Sequence, residues 1–465
     1  MTDRLAFLIL CLLAPQASAR TFEVGPGQPF EAIGEVPWER LQAGDTVRIH
    51  WRPEPYREKW SIGAEGTETA PVHVLGVPNE KGDLPVIEGR DAVTRPELDC
   101  PGGPRSVIRV GSFNAKSADQ TVVPRHVVIE NLEIRGARPP NRFTGKDGET
   151  PYLKHAAGIH IAEGFAVTVR GCVIHDCGNG LMSGGSETLV EGCHIFGNGN
   201  PGSLYEHNIY TSGSGMIFQG NRLGPLRKGC PGNNLKDRSA GLVVRCNWIE
   251  GGNRQLDLVD ANEHHAPLSR EPRYRETIVF GNVLIEPASE GNSQIVHYGG
   301  DSGQEEFYRN GTLRFYHNTV LSFRKDQTTL FRLAGSGGTV DCRNNLVWLA
   351  NPDAQLQLGT GQGRLLIAGN WLPERCSPGP GAPKSPEITG LSSSRHGRDP
   401  GFLDPVRFDF RLPRTGSAAH GTALPLPDNF LKAHAPDFQY EVHQRRTARP
   451  PETWHLPGAL VQIGD

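Results

Sequence analysis

Residues 233–249 read NNLKDRSAGLVVRCNWI, with Lys236 and Arg238 two positions apart. Tyr210 stands 26 residues before Lys236 and Asp257 stands 21 after it, offsets similar enough to be successive turns of one repeat. If a repeat brings these side chains side by side, a definite chemistry follows. A cation a few ångströms from a phenol favours its ionised form, and a phenolate or an amine so placed removes a proton from carbon. A proton beside a carboxylate becomes removable only when that carboxylate is neutralised, and Lys236 with Arg238 supplies the positive charge. A uronic acid, whose C5 proton lies next to its carboxylate, is the matching substrate. The outcome is β-elimination, or epimerisation if the proton returns on the opposite face. His207 is a second acid or base reaching Tyr210, or a histidine satisfied within a turn. A charge ladder in which Lys236 only satisfies Asp257 fits the same residues, and exposed pairs of that kind are worth about 0–1 kcal/mol.

The segment NRQLDLVDAN adds Arg254, Gln255, Asp257 and Asp260. Asp257 and Asp260 offer oxygen ligands suited to Ca²⁺, or the paired carboxylates of a glycoside hydrolase. Their spacing puts them on opposite faces of an ideal strand unless a turn begins at Val259. His264 and His265, in the polar stretch that follows, read as solvated. Beyond Ca²⁺ no cofactor is indicated.

The elements that must position these residues follow from composition and repetition. One residue in five is Gly or Pro, with 57 and 37 in 465, which favours a turn-rich all-β architecture over a helical one. A degenerate unit, Val/Ile-x-Gly-Asn/Cys-x-Ile/Leu, recurs with its marker at 131, 172, 193, 221, 247, 282, 318, 345 and 370. A period of 21–41 residues is that of one coil of a right-handed parallel β-helix, in which each coil buries its apolar face only by stacking on its neighbours. Asn at a repeated turn position forms a ladder of side-chain amides along such a stack.

A second strand per coil aligns Ile159, Leu181, Ile209, Leu235, Leu256, Ile295 and Leu330 as an inward column. Side chains alternate, so the next residues point outward: His160, Met182, Tyr210, Lys236, Asp257, Val296 and Phe331, about 4.8 Å apart from coil to coil. The residues just before, including Asn208, Asn234 and Gln255, are expected outward as well. So are those three after the aliphatic, including Arg238 and Tyr298. His160, Asn208, Asn234, Arg254, Gln255 and Tyr298 are therefore candidate substrate contacts around a centre of Lys236, Arg238, Tyr210 and His207.

The formal charge of −3 gives no basic field for nucleic acid, and no stretch after the N-terminus approaches the ~20 apolar residues of a membrane span. Residues 1–19 carry Arg4, an apolar run over 5–13 and Ala17-Ser18-Ala19, the order of a secretory signal, so a secreted or periplasmic chain starting near Arg20 is expected. Cysteines 100, 172, 177, 193, 230, 246, 342 and 376 remain after export and include no CxxC, and their pairing is not legible; Cys172 and Cys193 share the Asn position of successive coils and fit stacked thiols. The β-helix is expected over 20–372, with an N-terminal cap and a short helix near 38–41. Residues 137–154 and 261–275 are expected as projecting loops, and 373–465 as an extended C-terminal tail with a helix near 429–433. A monomer is expected.

The repeat, the signal and the polar face together resemble the pectate-lyase-like superfamily of secreted right-handed β-helix proteins, over roughly residues 20–420. The segment DPGFLDPVRFDFRLPRTGSAAHG looks like the terminal segment of its bacterial members. The stretch NNLKDRSAGLVVRCNWI is similar to one in chondroitinase B and the alginate lyases of polysaccharide lyase family six, where Lys236 matches a lysine base. That family usually has an arginine where this chain has Asp257. The resemblance implies an acidic polysaccharide as partner and a lyase, with a hydrolase, an epimerase or a non-catalytic glycan-binding protein as alternatives. The GHG and RIK motifs of polygalacturonase-type hydrolases are missing from the sequence.

Overall fold

Short β-branched and aliphatic segments separated by Gly, Asn and Ser corners cannot form helices, and they pair instead across coils. The computed structural model describes residues 18–99, 103–113, 123–261, 266–289, 291–381 and 383–463. Most of the expected signal segment, Cys100 and the His264-His265 pair lie outside these residues. Three long sheets run the length of the molecule, with 13, 11 and 11 strands. Each coil gives one strand to each sheet: Ile209–Thr211, Ile217–Gln219 and Arg222–Leu223 are followed by Leu235–Asp237, Val243–Arg245 and Trp248–Glu250, and all pair parallel with their counterparts. The interior is a continuous apolar column that includes Ile159, Leu181, Ile209, Leu235 and Leu256, all fully buried.

The coil corner explains the Gly-Asn signature. The Gly position is left-handed, as at Gly220 (φ 64°) and Gly281 (φ 66°). The marker Asn turns inward: Asn221, Asn247, Asn282, Asn318, Asn345 and Asn370 form a buried ladder, each amide nitrogen up to Asn345 donating to the next Oδ1 at 2.9–3.1 Å. Register corrects one marker. Glu130 pairs with Arg170, which sets Asn131 (φ 55°) opposite Gly171 rather than opposite Cys172. Asn tolerates left-handed backbone better than most residues, so it substitutes for Gly there.

The seven described cysteines are free thiols, Cys172 and Cys193 among them, both buried at the marker position. The stack runs past the boundary expected at 372, since Cys376–Ser377, Glu387–Thr389 and Arg395–His396 extend the three sheets by one coil. The stretch 137–154 is more than a loop and holds a hairpin, Arg142–Gly145 against Gly148–Pro151. Near the N-terminus a 3-10 turn, Trp38–Arg40, buries Trp38 with its ring 5.5 Å from that of Trp60. In the tail, Phe410, Tyr440 and Leu460 pack on Trp248 and Leu321, and Phe430 of the helix Asp428–His434 packs on Phe280 and Tyr316. The tail thus clothes the two sheets that hold Val243–Arg245 and Trp248–Glu250.

Candidate functional site

The sheet that holds Ile209–Thr211 and Leu235–Asp237 carries the row expected from the alternation. His160 pairs with Met182, Met182 with Tyr210, Tyr210 with Lys236, and Lys236 with Asp257. Beyond Asp257 the row differs from expectation, because Asp257 pairs with His297 and His297 with Arg332. Val296 and Phe331 are fully buried inside the column instead of outward. Ile295 and Val296 are adjacent aliphatics, either of which satisfies a period-two pattern, and register is set by which one meets Leu256. Aligning on Val296 reveals His297 as the next outward residue.

Met182, Tyr210, Lys236 and Asp257 of this row form the floor of a cleft of about 570 Å³, whose lining also includes Arg105, His155, Asn179, His207, Asn233, Arg238, Arg254 and Asp301. Tyr205, on the loop before Ile209–Thr211, stands at its edge with 82% of its surface exposed.

Lys236 is the hub of the floor, its Nζ donating to Asp257 Oδ2 at 2.6 Å and to Asp301 Oδ2 at 2.5 Å. Its side chain is 10% exposed and that of Asp257 2%, so the pair is buried rather than a surface ladder. Asp257 also accepts from Asn233 Nδ2 at 2.7 Å and from His297 Nδ1 at 2.8 Å, and Arg254 stands at 3.5 Å. Burial alone would raise the Asp257 pKa, but the His297 hydrogen bond and the charge of Lys236 outweigh it and hold the carboxyl far below its ordinary range. Arg238 lies beside Lys236, its Nε donating to the Tyr210 oxygen at 3.2 Å and its Nη1 to the Asp260 carbonyl at 2.6 Å. It also forms an ion pair with Asp301 at 2.8 Å. Burial disfavours the Arg238 charge, yet Tyr210 and Asp301 raise its pKa above the ordinary arginine value.

His207 contributes a donor rather than a titrating base. Its Nδ1 accepts the Asn233 backbone N–H at 3.0 Å, which leaves the proton on Nε2. Burial, then the Lys236 charge, push its pKa down to about 3. Lys236 is likewise better described as a donor, because two carboxylates already occupy its ammonium.

Several expected contacts are corrected. Asn208, Asn234 and Gln255 are fully buried. They precede three-residue strands and sit in corners where alternation has not begun, so they turn inward to satisfy backbone carbonyls: Asn208 and Asn234 both donate to Gly224 O, and Gln255 to Ile285 O. Asn233, the neighbour of Asn234, is the one that lines the cleft. Tyr298 is a core residue, pairing with Leu258 and Leu333. Asp257 and Asp260 do not form a metal pair. Asp260 is fully buried, its Oδ1 accepting from the backbone N–H of Asp301 at 2.7 Å, and Asp257 is taken up by Lys236, Asn233 and His297. Among the described residues no group of three or more His, Cys, Asp or Glu is placed to hold a metal ion. His160 stays in the row two coils from Tyr210, its pKa lowered to about 4 by burial and the charge of Arg109. Arg254 lines the cleft as expected. Sequence reasoning missed His297 and Asp301, the latter in the turn GGDSG outside any strand repeat.

Residues 121–265 match the family model described as the right handed beta helix region. No curated protein matches the chain. Among solved structures the chain is similar to an alginate lyase from Paenibacillus sp. str. FPU-7, with 13% identity, a TM-score of 0.47, and 76% of this chain and 99% of that one covered. A rhamnogalacturonan lyase aligns at 11% identity, TM-score 0.47, over 83% and 91% of the two chains. The tailspike protein of E. coli bacteriophage HK620, in complex with a pentasaccharide, aligns at 11% identity, TM-score 0.40, over 75% and 58%. With parallel sheets wound coil upon coil, and that family match spanning the coils that hold Tyr210, Lys236 and Asp257, the protein is a right-handed parallel β-helix.

Proposed function

We propose that the protein is an exported lyase that cleaves a uronic-acid-containing polysaccharide by β-elimination, with Tyr210 as the proton-transferring group. The observation that carries this reading is the Arg238 guanidinium donating to the Tyr210 oxygen at 3.2 Å in an open cleft, with Lys236 on the neighbouring strand. A charged donor aimed at that oxygen stabilises negative charge on it. The phenolate takes the C5 proton, the electrons of the C5–H bond form the C4–C5 double bond, and the C4–O bond breaks. The proton passes from Tyr210 to the departing glycosidic oxygen, which restores the phenolate. Lys236 and Arg238 bind the uronate carboxylate and stabilise the charge that builds on it in the transition state. Neutral His207 adds a hydrogen-bond donor. The N-terminal charge, apolar run and small-residue order support export.

The test is incubation with pectate, alginate, chondroitin and heparin-type polymers, following the ultraviolet absorbance of the unsaturated uronate. Tyr210→Phe removes one oxygen and should lower the rate by about 10²–10⁴-fold, the range of a general acid–base group. Full activity in Tyr210→Phe would reject the assignment of the base. New reducing ends without absorbance would replace elimination with hydrolysis. One observation favours a non-catalytic glycan-binding protein as the second reading: Lys236 and Arg238 are already ion-paired within the chain. Binding of a polymer without turnover would select it.

A further inference from the structure

At the centre of the cleft floor the charges balance before any substrate arrives, and Arg105 lines the cleft outside this cluster. Lys236, Arg238 and Arg254 face Asp257, Asp260 and Asp301, and each of these cations lies within 4 Å of a carboxylate in that set. An anionic sugar entering this half-buried cluster adds a negative charge with no cation in the set left to meet it, which is unfavourable where water is scarce. For Lys236 and Arg238 to meet the sugar carboxylate, one internal carboxylate must give way. Asp257 is 2% exposed and bound by Lys236, Asn233 and His297, and Asp260 is fully buried beneath the loop it anchors. Asp301 differs from both. Its side chain is 30% exposed, and among the described residues its carboxylate is held by Lys236 and Arg238 alone.

We propose that Asp301 is an internal carboxylate occupying the seat, formed by Lys236 and Arg238, that the carboxylate of an acidic sugar takes on binding. This rests on the uronate reading above and adds its regulation: the seat opens when Asp301 swings toward solvent. The backbone need not move for that. The loop is held by Asp260 Oδ1, which accepts from the N–H of Asp301 at 2.7 Å and of Ser302 at 3.3 Å. Gly299 N–H bonds to the Leu258 carbonyl, and Arg309 N–H to the Gly299 carbonyl. Arg309, fully buried, is fixed in turn by Asp237 at 2.7 Å and by the Val259 carbonyl at 2.6 Å. None of these bonds uses the Asp301 side chain, so the loop survives its rotation or removal.

The experiment compares the full mature protein with Asp301→Ala and with the isosteric Asp301→Asn. Galacturonate and glucuronate are the probes, with neutral galactose as control, read by calorimetry and by the ligand-induced shift in melting temperature. Removing the competing charge should tighten uronate binding by about tenfold or more in both variants and leave galactose unchanged. Uronate affinity that stays the same or falls in the variants overturns the proposal, as does failure of both variants to fold. The two readings fail separately. Tighter uronate binding by the variants with no double-bond product from any form keeps the seat and removes the lyase. Turnover by the wild type with weaker uronate binding by the variants keeps the lyase and removes the seat.

Discussion

Replacing Lys236 by methionine separates a structural hub from a surface ladder, because the two predict costs of different size. The change keeps the length of the side chain and deletes its charge, leaving Asp257, which is 2% exposed, without its nearest cation. An exposed pair would lose about 0–1 kcal/mol, whereas breaking a buried pair by removing one partner costs about 3–5 kcal/mol. Asp257 retains Asn233 at 2.7 Å, His297 at 2.8 Å and Arg254 at 3.5 Å, which places the expected loss near the lower end, about 3 kcal/mol. The assay is equilibrium urea unfolding with the slope compared between proteins, so that a shifted midpoint reports stability alone.

The pH dependence has a definite sign. Asp257 has a depressed folded pKa in the wild type, so its contribution is present above its unfolded value and is lost only far into acid. In Lys236→Met that pKa rises, and the gap between the proteins is full at neutral pH and closes as pH falls through the variant's own Asp257 pKa. Adding Asp257→Asn removes the stranded charge and should recover part of the loss. A cost below about 1 kcal/mol, unchanged by pH, would refute the buried-hub reasoning.

Three further outcomes follow from the same geometry. Tyr205→Ala removes an 82% exposed ring at the cleft edge and should raise KM by about 3–10-fold with kcat unchanged, the worth of one aromatic contact, in steady-state kinetics on the polymer that gives turnover. Asn282→Ala should cost about 2–4 kcal/mol in urea unfolding, because it strands the buried Asn247 backbone N–H that now bonds Asn282 Oδ1 at 3.0 Å and deletes a rung of the ladder. Glu286, fully buried, has its pKa pushed up to about 7 by burial against the opposing effects of Gln255 and Arg324. Between its ordinary 4.5 and 7 the folded state holds more protons than the unfolded one, so this group weakens the fold as pH rises. Glu286→Gln should therefore match the wild type near pH 4 and exceed it at pH 8 by up to about 3 kcal/mol, measured by urea unfolding at both values.

The fold was legible because its cause is repetition. A corner that needs left-handed backbone followed by an inward amide leaves an Asn at each corner from 221 to 370, after Gly at 220, 281 and 369 and after Cys246, His317 and Asn344 at the others, and a ladder of identical side chains cannot drift without losing its hydrogen bonds. Exceptions such as Asn131 at the Gly position mislead by one residue only. The row from His160 to Asp257 was legible for a related reason, since single aliphatics bounded by polar residues fix which face is inside. Where two aliphatics adjoin, at Ile295-Val296, the pattern loses that power and His297 dropped out of view. The corners defeated the alternation rule altogether: Asn208, Asn234 and Gln255 obey the demands of buried carbonyls instead of strand periodicity.

Asp301 was invisible for a deeper reason, and it changes what Lys236 means. Sequence spacing brings Tyr210, Lys236 and Asp257 together because they share a strand position, but it carries no information on what a turn folds back onto them. A lysine followed one coil later by an aspartate reads as a base with one neighbour. The same lysine clamped at 2.6 Å and 2.5 Å by two carboxylates is a committed donor. Under the proposed function the role of base then falls to the phenol beside it, whose oxygen already accepts from Arg238 at 3.2 Å. The residue that matches a known motif best and the residue best placed to move a proton are therefore different ones, and the difference is made by a single side chain from the GGDSG turn.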